Sequence, residues 1–253
     1  DIKGEGVIVN TITGHVRLVG IANADENLSQ KLVDAFAGTT KGNYAALKAM
    51  TSSQVLDDPT KLIKVGTKDE ELTLASTNEK IEIEVAHLAA RVDFTVKSVS
   101  DGWTIKIKDG TTPVISKVCV ASDVLLGKYA ATNYSYNSQS KISTASEIWL
   151  NENRDSFTFY TYEKNSAIEI SMDVTFTRGG KPIEKTITAS LTPKADNAGS
   201  VTNGFVHGYR YIVTGNVTPA QTDIELLIKM IPWTVKKVNV DYGKPEWDND
   251  PIR

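Results

Sequence analysis

The residues able to do chemistry are few and scattered. The chain holds three histidines and one cysteine. His15 stands beside Gly14, His87 lies in "EVAHLAA" and His207 in the glycine-flanked "NGFVHGYR". No HxH or HExxH spacing relates them, so they form neither a metal set nor the base of a nucleophile, and surface or hinge roles are expected. Cys119, in "VISKVCVAS", has no second cysteine to pair with and no basic cluster beside it. A small hydrophobe in a sheet is expected there rather than a reactive thiol. Glu82 and Glu84 alternate with Ile81, Ile83 and Val85, which makes them the wet face of a strand. Glu246, Asp248, Asn249 and Asp250 in "PEWDND" offer oxygens without the spacing and glycine of a calcium loop, so they read as a solvated tail. Phosphate-cradling glycine loops and Ser-His-Asp patterns are absent too. The expectation is a protein that is not an enzyme and carries no cofactor and no metal. Two carboxylates meeting in one cleft is the hydrolytic alternative left open.

The elements that would position any site are strands. Charge is balanced, with 28 Lys and Arg against 31 Asp and Glu for a net charge of −3. Nothing in it draws the chain to nucleic acid or an anionic membrane. No stretch approaches the roughly 20 apolar residues of a spanning helix, so no transmembrane segment is expected. "DIKGEGVIVN" has neither the basic start nor the apolar run of a leader, which makes the chain cytoplasmic or already processed. Period-two alternation, the mark of antiparallel strands, dominates the second half. Ile168, Ile170, Met172, Val174 and Phe176 share one face, "RGGK" supplies a tight turn, and Ile183, Ile187, Ala189 and Leu191 continue the pattern, predicting a long hairpin. Similar runs occur in "FTVKSVSDGWTIKIKDG", "GYRYIVTGNV" and "DIELLIKMI". The first half is mixed. Leu28, Leu32, Val33 and Phe36 fall at helical spacing, with Asn27 as cap and Gly38 as stop, and "NYAALKAM" gives a second helical turn. "KVGTKDEEL" and "NYSYNSQSKISTASE" read as exposed loops.

A phase change marks the boundary. Ile81, Ile83 and Val85 are odd, whereas Leu88, Ala90, Val92, Phe94 and Val96 are even, so one strand cannot keep both sets on one face. A handover between sheets is expected near Ala86 to His87, dividing the chain into residues 1–86 and 87–253.

Several stretches together resemble the fimbrillin family of Bacteroidetes, the subunits of type V pili. They are "GHVRLVGIANADENL", "NYAALKAMTS", "VAHLAARVDFTV", "FTFYTYEKNS", "GYRYIVTGNV" and "IKMIPWTVKKVNVDY", in the family's order over roughly residues 10 to 247. The resemblance implies a mainly β fold of two β-sandwich domains of transthyretin-like topology, the first with short helices. It also implies export as a lipoprotein precursor, a place in an outer-membrane-associated surface fimbria and a role in adhesion. In such families a protease cuts after an Arg near the precursor's start, a strand is removed, and another subunit's terminal strand fills the groove. Here the segment before "GHVRLVGIAN" is some tens of residues shorter than the family pattern, so the cleavage site is not located.

The terminal run fits that scheme. In "TVKKVNVDY", Val238, Val240 and Tyr242 share one face opposite Lys237, Asn239 and Asp241, and Val235 is a further candidate. The run is either a donor strand for another pilin subunit, of its own or a related kind, or the last strand of its own sheet. A second reading is a tip adhesin or carbohydrate-binding sandwich. Its candidate contacts to host or bacterial surface ligands are Tyr129, Tyr134, Tyr136 and Trp149, which could equally be core aromatics.

Overall fold

The computed structural model describes residues 14–36, 46–47, 50–52, 54–72, 81–121, 142–195, 203–221, 224–233 and 236–238, with 36, 72 and 236–238 described by their backbone alone. Among the described residues the fold is mainly β, with an eleven-residue helix and several sheets.

In the first part come β1 (Gly14–Ala22), α1 (Glu26–Phe36), a 3-10 turn at Pro59–Lys61, β2 (Lys64–Leu72) and β3 (Ile83–His87). The helix begins earlier than the sequence suggests, because Asp25 rather than Asn27 caps it: its carboxylate accepts from the Leu28 backbone N–H, three residues on, at 2.7 Å. Its buried stripe is narrower than expected: Leu28 is 2% exposed, but Val33 is 57% exposed. Ala46 and Leu47 are helical, with Leu47 buried. "KVGTKDEEL" is not a loop. It is β2, antiparallel to β1 from Gly14↔Leu72 to Ala22↔Lys64.

β3 keeps two register partners on β2, Lys64↔His87 and Val65↔Ala86. Just before them, Ile83–Val85 cross the face of the β1–β2 pair where Gly20 and Gly66 are register partners. A side chain on Gly66 would collide with the Glu84 backbone carbonyl, and one on Gly20 would sit 3.3 Å from Ile83 and Val85 methyls. The glycine pair is the low point that lets a backbone pass over a sheet.

After His87 the chain bends at Leu88 and Ala89 and enters a different sheet. The elements there are β4 (Ala90–Ser98), β5 (Thr104–Ile107), β6 (Val114–Ser116), β7 (Val118–Cys119), β8 (Ile142–Ser143), β9 (Trp149–Leu150), β10 (Ser156–Thr161), β11 (Ile168–Arg178), β12 (Lys181–Leu191), β13 (Tyr209–Val217), β14 (Glu225–Pro232) and β15 (Lys236–Val238). One sheet runs β14-β13-β4-β10-β9 and the other β12-β11-β5, with β6 also on β11. Val92, Phe94, Phe157, Phe159, Tyr211 and Val213 of the first meet Ile107, Ile115, Ile168, Met172, Val174 and Phe176 of the second in one buried cluster. Hydrophobic burial on this scale is the main term holding the sheets together. The β11–β12 hairpin turns at Gly179 and Gly180, with φ of 55° and 76°, the left-handed pair that a two-residue hairpin turn requires. Beyond the core its tip is wet, so Ile183 is exposed although the alternation places it inward. β13 is parallel to β4, unlike its antiparallel neighbours. Alternation is blind to strand direction, and the intervening sheet carries the long return that a parallel pair needs.

Candidate functional site

Where the terminal segment leaves the sandwich, the chain is held by aromatic rings. β14 ends at Pro232, which lacks an N–H to continue a ladder. Trp233 then donates its backbone N–H to the Gly208 carbonyl at 2.8 Å. Its indole is 6% exposed. It stacks on His87 with centroids 3.8 Å apart and planes 16° apart. It also stacks on Tyr160 at 5.6 Å, and Tyr160 meets Trp149 edge-on at 5.2 Å. Around them Leu28, Leu56, Leu62, Leu88, Ala89 and Tyr162 close a second core that joins both halves of the chain. Aromatic contacts of this kind add about 0.5–1.5 kcal/mol each beyond the area they bury.

Past this root the chain forms β15, antiparallel to β3 with the register Lys236↔Val85, Lys237↔Glu84 and Val238↔Ile83. The terminal run is thus laddered over three residues onto its own chain. The strand that receives it lies over the glycine pair on one side of the stack, and His87 at its end lies under Trp233. One short strand therefore positions both the root and the ladder.

The electrostatics are set by burial. His87 is 8% exposed, and its Nδ1 has no hydrogen-bond partner among the described residues. Burial, reinforced by Lys64 and Arg91, pulls its pKa from 6.5 to about 3, so the ring is neutral. Nearby, Arg91 and Arg210 both reach the Asp93 carboxylate, with Arg91 Nε 3.0 Å away, and Thr158 donates to it at 2.6 Å. Glu163 is buried and pairs with His207. Lys164, fully buried, donates to the Lys117 and Ala167 carbonyls, and burial lowers its pKa to about 8. Asp93, Glu163 and Lys164 are thus each held by neighbouring groups. Among the described residues no group of three or more His, Cys, Asp or Glu gathers as metal ligands, and no helix is long and apolar enough to cross a membrane.

The sequence-predicted site residues fall unevenly. Val238 lies in β15, while Val235, Val240 and Tyr242 lie outside the described residues. Tyr129, Tyr134 and Tyr136 also lie outside them. Trp149 is half-buried and packs on Tyr160. Cys119 is buried in β7, its N–H bonded to Thr161 Oγ1 at 3.1 Å. Glu82 and Glu84 are exposed. Sequence reasoning missed Trp233, Tyr160 and the Gly20–Gly66 pair as parts of this site. The legible signal was Pro232-Trp233, a strand stop followed by a large ring.

No protein-family model and no curated protein matches the sequence. Solved structures do match in fold. A protein ascribed to cell adhesion from Parabacteroides distasonis superimposes with a TM-score of 0.53 at 14% identity, over 88% of this chain and 77% of that one. The tip fimbrial protein Mfa3 from Porphyromonas gingivalis, with C-terminal truncation, superimposes with a TM-score of 0.50 at 9% identity, over 86% of this chain and 80% of its own. The chain shares the fold of these two proteins.

Proposed function

We propose that the protein is a structural, non-enzymatic subunit of a bacterial surface fimbria of the fimbrillin kind, and that it joins its neighbours through the strand that follows Trp233. In this reading the chain divides into domains at residues 1–86 and 87–253, and the fimbria is outer-membrane-associated and adhesive. The observation that carries it is the three-residue ladder of β15 on β3. Over the three residues described, the ladder is a modest hold. Each of its hydrogen bonds contributes roughly 0.5–1.5 kcal/mol net, against roughly 1–2 kcal/mol of backbone entropy for each residue ordered. Seating Val238, Val240 and Tyr242 in a neighbour would add about 1.5–3 kcal/mol apiece. A neighbour's β3 edge presents the same ladder as the chain's own, so it can serve as acceptor in an exchange between copies. The shared fold of proteins named for adhesion and for a fimbrial tip supports the class.

The test is to delete Lys237 to Arg253 and compare assemblies by size-exclusion chromatography. Loss of the oligomers is expected, and the same oligomers from the truncated chain would overturn the donor assignment. The second reading, a tip adhesin, draws on the tip protein's shared fold. Glycan-array binding lost on substituting Tyr129, Tyr134 and Tyr136 would favour it. Trp149, committed to Tyr160, is the weaker contact candidate.

A further inference from the structure

The root of the terminal strand carries a feature that stacking alone does not require. His87 offers Trp233 a polar ring where a phenyl would serve, and it leaves a buried nitrogen without a partner. A buried, unpaired polar atom is costly and calls for a reason. We propose that His87 and Trp233 form an acid-released latch: the neutral imidazole holds the indole at the root of the terminal strand, and protonation of that imidazole frees it. The inference rests on reading that strand as the joint between subunits and adds the condition under which it is let go.

The surroundings of the ring admit no charge. On β2, Lys64 is its register partner, and on β4, Arg91 lies close enough to disfavour a second cation. Gly208, whose backbone lies against Ala86 and the His87 carbonyl, adjoins the His207–Glu163 pair, where the carboxylate already serves the His207 backbone N–H and ring. Trp233 and Tyr160 bring only ring faces, and Glu84, on β3 itself, is exposed. A protonated His87 would hold a desolvated charge beside two cations, with no acceptor for its Nδ1–H among the described residues. It is relieved only by leaving the stack. The Trp233 ring then loses its closest partner, and β3 is disturbed one residue from the Ala86 pair and two from the β15 ladder.

The sign follows from linkage. The ring titrates near 6.5 when released and near 3 when stacked, so the latch is at full strength above about 6.5 and weakens steadily as pH falls toward about 3. Between about pH 7.5 and about pH 5, local opening rises about thirtyfold. Hydrogen exchange by mass spectrometry on the full chain reads it, comparing peptides covering Trp233 to Val238 at the two pH values after correction for intrinsic rates. The β11 peptide serves as a reference for global unfolding. The expected result is that the terminal peptide opens about thirtyfold more at the lower pH in the native chain and not in His87→Phe. Should that variant fail to fold, His87→Gln serves, since it also cannot be charged. A pH-independent terminal peptide in the native chain, or an unchanged pH response in either variant, would overturn the latch. These readings follow the opening of one peptide with pH and the chromatographic test follows assembly size, so the two stand or fall separately.

Discussion

At the scale of single residues, the positions that matter most are those where the fold has no room or no water. Gly66 is one. An added methyl would strike the Glu84 carbonyl, which belongs to the backbone and cannot swing aside. Gly66→Ala should destabilise the protein by about 1–3 kcal/mol. Gly20→Ala, whose new methyl meets only the movable side chains of Ile83 and Val85, should cost less. Urea midpoints at constant slope check the order. Lys164 gives a pH signature. Folded, it loses its proton near 8 rather than at 10.5, so the unfolded chain binds more protons between those values and stability rises with pH across them. Lys164→Met should remove that rise, read as midpoints on either side of the window. None of this was legible in advance. Lys164 looks like any strand-end lysine, and the Gly66 contact joins residues far apart in sequence.

Elements were legible where one face is dry. β4, β11 and β13 alternate because each lines the sandwich core, and their buried sets are the ones their periodicity marks. β2 escaped notice because it has no buried residue among its described side chains, so no apolar phase is written into it. β1 supplies its reason for being a strand. The Asp25 cap escaped because Asp25 and Asn27 both stand at the start of the helix, and the choice between them depends on geometry. Asp25→Ala should cost about 1 kcal/mol and Asn27→Ala far less, measured by denaturation. At the β11–β12 turn, Gly180→Val forces a β-branched residue to positive φ and should destabilise by about 1–3 kcal/mol, whereas Gly179→Asn should be tolerated.

At the scale of the whole molecule, there are two cores, and the terminal strand is rooted in the aromatic stack of the second. The handover at Leu88 and Ala89 was readable as a phase change, since a strand cannot serve two sheets without one. The stack was not, because His87, Tyr160 and Trp233 meet only in three dimensions. The ladder that follows it joins β15 to β3 over the residues described, and in the proposed function a neighbour's strand takes that place. The register pair Glu84↔Lys237 allows this to be measured directly. In a Cys119→Ala background, one population carries Glu84→Cys and another Lys237→Cys, and the two are mixed under assembly conditions and oxidised. The expected result is a disulfide between chains of the two populations. Assemblies that form without that bond, while a single chain bearing both cysteines closes it internally, would contradict exchange of the terminal strand at β3.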